Sequence, residues 1–238
     1  MWKYSAHTPE MFMPGDLFRI SAKYSIGRAF NDRAHNCHAC GDEELDPHGD
    51  HALICMPLGD VVHRHNDIYR VLITEARMAM IGLNVEHTIL KSTRTSYRAD
   101  FLFAQGVPGL SNNPTAFDVV VTCPLNKTLI KGASKRPLAA ALAAEKRKYK
   151  EQKQDLEKLG YDFIPLPFET TGGHTDLVAT LVHYLAQQKA VMAGIPFAEN
   201  VTRLWQLLSV TLQRSNAFAI KRRLSEQMPQ GEEPLPSP

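Results

Sequence analysis

Four soft donors fall close together: Cys37, Cys40, His51 and Cys55 form a Cys-x2-Cys pair, a ten-residue spacer and a His-x3-Cys pair. Zinc takes four such ligands in a tetrahedron, and a two-residue spacer lets two thiolates close on one ion. With four protein donors no coordination position stays open, so the expected site is structural. Gly41, Pro47 and Gly49 give the intervening loop the freedom to fold back. His35, His38 and His48 are spare donors, His48 being the main competitor for the third position. The competing explanation is incidental cysteines in a surface loop. Cys123 stands apart in an apolar run and reads as core.

A second constellation is acidic. Arg98-Ala99-Asp100 opens one strand-like segment, and Phe117-Asp118-Val119-Val120-Val121 forms the next. In a hairpin the two aspartates stand side by side at one end of a sheet. Two carboxylates held close repel unless a cation joins them. Oxygen donors of this kind suit Mg²⁺ or Mn²⁺, which activate water and stabilise charge on a phosphodiester. A strand-end cap, or pairing with Arg98 or Arg94, is the plainer alternative for either acid alone.

The position two residues beyond Asp118, where such sites commonly carry a lysine, is Val120. A lysine must then arrive from elsewhere. Leu142, Lys146, Tyr149, Lys153 and Leu156 step by four and three, which turns Lys146 inward with an apolar stripe and Lys148 outward. Lys146 is therefore the expected catalytic cation. Glu75 shares a helix face with Ile68 and Leu72 and is a further expected metal ligand, as is Glu169 before Gly172-Gly173. His65 is expected to orient a phosphate or a water. Arg64, His65, Arg98, Arg147, Lys148 and Tyr149 are the expected nucleic-acid contacts.

These residues need elements to position them. The chain has 238 residues, 44% of them apolar, which is ample for one α/β domain with additions. Helical spacing predicts a helix from His63 to Ile81 stopped by Gly82, and period-two patterns predict strands at Leu83–Leu90, Tyr97–Ala104 and Ala116–Cys123. Pro137 is expected in the first turn of a long helix closed by Gly160. A strand at Tyr161–Phe168 follows, then a helix capped by Thr175 or Asp176 and running toward Ala193, then an amphipathic helix near 200–224. The order α-β-β-β-α-β-α implies a mixed sheet flanked by helices. The expected divisions are an N-terminal helical segment (1–33), a zinc knuckle (34–60), a core (61–195), a C-terminal helix (196–225) and a disordered tail (226–238) rich in proline.

The motifs come in an order that resembles a known family. Cys37-x2-Cys40…His51-x3-Cys55, Arg64-His65-Asn66, Arg98-Ala99-Asp100, Asp118-Val119 and Glu145-Lys146-x2-Tyr149 resemble the C-terminal region of site-specific non-LTR retrotransposon reverse transcriptase proteins, over about residues 34–185. That region holds a zinc knuckle and a restriction-like endonuclease. The resemblance implies a PD-(D/E)XK-type core that nicks target DNA with a divalent metal, Asp100 and Asp118 as ligands, and Lys146 as the migrated lysine. It also implies a reverse transcriptase as partner, on the same or a related polypeptide; no palm motif of that enzyme is present here. Ala99 stands where the family commonly has proline, and the knuckle's histidine spacing is one residue shorter than in some relatives. A module binding DNA or RNA without cutting, and a resolvase of branched DNA, are the rival functions.

The net charge is only +2, so charge alone does not point to nucleic acid. Its distribution is more suggestive, with Lys146, Arg147, Lys148, Lys150 and Lys153 on one helix and Lys221, Arg222 and Arg223 ending another. No apolar run reaches membrane-spanning length. The first residues lack the apolar run of a signal peptide, so the expectation is a protein that is not secreted, nuclear in a eukaryote and otherwise cytoplasmic.

Overall fold

The structure is a computed structural model that describes residues 9–41, 43–85, 88–91 and 96–225, with the backbone alone at 88–91 and 96–98. The tail expected at 226–238 lies outside the described residues. In chain order the elements are α1 (Gly15–Ser25), β1 (His35–Asn36), β2 (Glu44–Leu45), α2 (Asp60–Met78), β3 (Leu83–Val85), β4 (Thr88–Lys91), β5 (Ser96–Arg98), β6 (Phe101–Phe103), β7 (Thr115–Thr122), α3 (Ile130–Ala133), α4 (Ala139–Glu157), β8 (Asp162–Glu169), α5 (Asp176–Ala193) and α6 (Phe197–Ser225). No helix among them is long and apolar enough to cross a membrane.

The central sheet runs β3-β6-β7-β8. The first three strands pair antiparallel, and β7 pairs parallel with β8 after the crossover through α4. The mixed sheet flanked by helices agrees with the expected class. Alternation along the strands then sorts the side chains. Phe101, Phe103, Phe117 and Val119 face the larger core with Ile68 and Leu72 of α2, Leu181 of α5 and Leu208 of α6. Leu102, Ala116 and Phe163 face the other side and pack with Leu156 of α4. Asp118 has the parity of Ala116 and therefore emerges toward α4. Pro165 and Pro167 are tolerated in β8 because it is an edge strand, where their missing N–H groups cost no ladder bond.

Two expected strands are each interrupted. The 83–90 segment divides into β3 and β4, and the 97–104 segment divides into β5 and β6 around Ala99-Asp100. The outer halves pair with each other as a separate two-stranded arm. The hairpin thus divides at Ala99-Asp100, with the Asp100 backbone N–H still donating to Phe117 O of β7 at 2.9 Å. The helices also start and stop differently. Met80, with φ of 55°, lets α2 end at Met78 before Gly82 is reached. Leu138, with φ of 58°, delays α4 to Ala139, so Pro137 precedes the helix.

Candidate metal centre and active site

The knuckle is built by a short β1–β2 hairpin, which brings Cys37 and Cys40 near a 3-10 turn at His51–Leu53. One ligand atom from each of Cys37, Cys40, His51 and Cys55 lies within 4.8 Å of all the others. Cys37 Sγ is 3.8 Å from Cys55 Sγ, and Cys40 Sγ is 3.5 Å from His51 Nε2. A tetrahedron with zinc–sulfur bonds near 2.3 Å and zinc–nitrogen bonds near 2.0–2.1 Å has edges of about 3.8 and 3.5 Å. The residues therefore fit a zinc ion. His48 is exposed and outside the cluster; its backbone N–H donates to Asp46, leaving His51 as the histidine ligand. Burial pushes the Cys55 thiol up to about 12, so a cation is what would make it a thiolate.

Two further residues support this cluster that sequence spacing did not reveal. Glu43 Oε2 sits 3.3 Å from His51 Nδ1, on the side away from the cluster, and Lys127 holds the other oxygen of Glu43 at 3.1 Å. A carboxylate behind a ligating histidine orients the ring. Cys123 is buried against the knuckle's apolar residues, as a core position should be.

The acidic constellation forms where the hairpin leaves the sheet. Asp100 Oδ2 accepts the backbone N–H of Val119 at 2.6 Å and lies 3.0 Å from His65 Nε2. His65 Nδ1 faces Asn66 Oδ1 at 3.1 Å. Both ring nitrogens thus meet acceptors. Burial lowers the His65 pKa, but the hydrogen bond and charge of Asp100, the Asn66 contact and the charge of Asp118 outweigh it, and the net shift is upward.

Asp118 is 7% exposed. Its carboxyl is held above the ordinary range, first by burial and then by repulsion from Asp100, against the opposing pull of Lys148 and His65. Lys148 Nζ stands 2.8 Å from Asp118 Oδ2. The lysine that reaches the acids is therefore Lys148, and Lys146 is exposed to solvent. The inward stripe of α4 runs Ala140, Ala144, Lys148, Gln152 and Leu156 in steps of four. Small alanines let the helix lie close on the sheet, whereas Leu142, which anchored the expected stripe, is 52% exposed.

Two other expected members lie elsewhere. Glu169 is four residues along β8 from Pro165, the residue paired with Asp118, and so is about 13 Å further up the strand. It accepts the backbone N–H of Ala141 at 3.1 Å and the Thr171 hydroxyl, capping α4 from outside. Gly173 permits this, because a Cβ there would stand 2.7 Å from Leu138 and 2.9 Å from the Glu169 carboxylate. Glu75 is about 15 Å along α2 from His65. It is buried and bonded to Lys189 at 2.9 Å and to Arg203.

Arg64, expected at nucleic acid, is 1% exposed and donates to Asn216 Oδ1 and Leu53 O. Arg98 lies where only the backbone is described. Arg147 is exposed, paired loosely with Glu151 at 3.9 Å, and Tyr149 is half-buried with its ring edge-on to Phe163. The run ending α6 is engaged internally: Lys221 pairs with Asp16, and Arg222 and Arg223 pair with Asp60.

No protein-family model matches the chain, and no curated protein is significantly similar to it.

Proposed function

We propose that the chain is a divalent-metal-dependent endonuclease that hydrolyses phosphodiester bonds in DNA, with a core of the restriction-like type and a structural zinc knuckle. The observation that carries this reading is the crowding of Asp100 and Asp118 at one sheet opening, with a lysine brought in by α4. Burial and mutual repulsion leave Asp118 short of compensating positive charge, which is the condition a metal relieves. The oxygen-rich donor set fits Mg²⁺ or Mn²⁺, with Asp100 and Asp118 as the protein ligands. Such an ion supplies an activated water and neutralises charge on the phosphate. Lys148, whose side chain is 21% exposed, is placed to balance negative charge beside Asp118. His65, supported by Asn66, fixes the Asp100 carboxylate from the opposite side. Arg147 and Lys150 present cations on the solvent side of α4, where a phosphate backbone can run. The reading extends to target-site nicking of the retroelement kind, beside a reverse transcriptase.

The test is incubation of the zinc-loaded chain with plasmid and with branched DNA, with and without Mn²⁺. Metal-dependent nicking is expected, lost in Asp100→Ala and in Asp118→Ala while both variants remain folded. Parent-rate nicking by either variant removes the site assignment. DNA binding that falls steeply with salt but ignores both aspartates, with no cleavage, would make the chain a binding module instead.

A further inference from the structure

A cavity of about 600 Å³ opens between α1, the knuckle loop at His48–Asp50, the turn after β8 and α6. It lies beyond the carboxyl ends of β7 and β8, the parallel pair, which is where open α/β sheets place ligands. Its volume falls within the range of small-molecule sites. Leu212, Ala217 and Ile220 give it an apolar wall. Thr170, 4% exposed, lines it and carries a hydroxyl with no hydrogen-bond partner among the described residues. Asp50 lines it too: Tyr24 donates to Asp50 Oδ1 at 3.0 Å, and Oδ2 accepts no hydrogen bond among the described residues. Arg28 and His48 stand exposed at the rim.

We propose that this cavity binds a guanine nucleotide, with the base edge on Asp50 and the phosphate toward Arg28 and His48. An ionised carboxylate only accepts hydrogen bonds. Among the bases guanine alone presents two adjacent donors on its pairing edge, N1–H and the 2-amino group. Adenine and cytosine set a ring acceptor beside their amino group, and uracil and thymine flank one donor with two carbonyls, so each meets Asp50 with repulsion. The apolar wall suits the face of the base, and the Arg28 guanidinium suits a phosphate, with the His48 ring a further hydrogen-bonding group beside it. The same chemistry serves a free nucleotide or an unpaired guanine in a strand. The assignment does not rest on the nuclease reading, since Asp118 is not part of the cavity.

Calorimetric titration of the full zinc-loaded chain with GMP, IMP and AMP tests it. GMP is expected to bind best, with IMP weaker by about tenfold for loss of one charge-assisted hydrogen bond. AMP should be weaker still. Asp50→Asn should weaken GMP at least tenfold with zinc content unchanged, and Asp118→Asn should leave GMP binding as in the parent. If Asp50→Asn loses zinc, the order of the three nucleotides on the parent chain decides. Equal affinity for GMP and AMP overturns the proposal, as does an Asp50→Asn variant with retained zinc and affinity within about twofold of the parent, or no saturable binding at about 1 mM GMP. A thymine strand with one guanine, binding more tightly than GMP, assigns the source to nucleic acid; the reverse order assigns it to a free nucleotide.

Discussion

Replacing Asp118 with asparagine is expected to stabilise the protein at neutral pH while abolishing its cleavage. The carboxyl is 7% exposed, and burial together with Asp100 raises its pKa above the ordinary 3.8 despite Lys148 at 2.8 Å. When the folded-state pKa of a carboxyl exceeds its unfolded value, the folded state binds the proton more readily. Stability then falls as pH rises through the interval between the two values, and stays lower above it. Asparagine keeps the shape and removes the charge. Lys148 loses its partner but has a 21% exposed side chain, so its ammonium can turn to water at small cost. The net change at neutral pH is therefore a gain in stability, read as a higher Tm. Thermal unfolding of both proteins from about pH 4 to pH 8 measures it as a difference at each pH. The difference should vanish at the acid end and grow through the interval. Added Mg²⁺ should stabilise the parent by about 1.4 kcal/mol at ten times its Kd, and the variant not at all. An Asp118→Asn protein less stable than the parent at neutral pH would refute the reasoning, because Lys148–Asp118 would then be an ion pair that holds the fold together.

Lys148→Met should lower nicking by about 10²–10³-fold, as loss of a charge-stabilising group does, whereas Lys146→Met should keep parent rates; equal effects would undo the placement of α4. Arg64→Met should destabilise by about 1–3 kcal/mol for each buried acceptor it leaves unpaired, yet leave the salt dependence of DNA binding unchanged. A flattened salt slope would mean that Arg64 contacts phosphate. Glu75→Gln should cost about 3–5 kcal/mol in chemical unfolding because Lys189 and Arg203 lose a buried partner. Stripping zinc with a chelator should lower the Tm of the whole chain, and an unchanged main transition would show the knuckle to be independent of the core.

The features legible in the sequence are those set by short-range spacing. The zinc cluster follows from Cys-x2-Cys and His-x3-Cys, and the strands from alternation, because both depend on residues a few positions apart. Helical spacing points to Lys146 instead of Lys148 because it gives Leu142 the weight of a core residue. What faces the sheet is a run of alanines, whose small size permits a close helix and carries no hydrophobic signal. Arg64 and Glu75 depart from expectation for another reason. Arg64 bonds to Asn216, 152 residues away, and Glu75 to Lys189, 114 residues away. No local pattern announces such partners. The break at Asp100 is similarly invisible, since the residues on both sides of it have strand-forming character and only the pairing shows where the ladder divides.

The buried arginines also change what the knuckle does. Arg64 donates to Leu53 O, and Arg223 donates to Pro57 O at 2.7 Å and to Asp60 Oδ2 at 2.7 Å, so backbone between the zinc ligands and α2 is clamped by two guanidiniums from the helical core. Asn216 joins the same network, accepting from Arg64 and donating to Thr170 O just past the end of β8. Arg64 and His65 are neighbours in the first turns of α2, so whatever fixes Arg64 also fixes the start of the helix that carries His65 to Asp100. A structural zinc contributes folding free energy to the segment it organises. Here that segment is continuous, through Leu53 and Arg64, with the acidic site. The Cys/His cluster is thus a buttress for the position of His65, and on the proposed reading a zinc ion bound there should influence cleavage even where it touches no DNA.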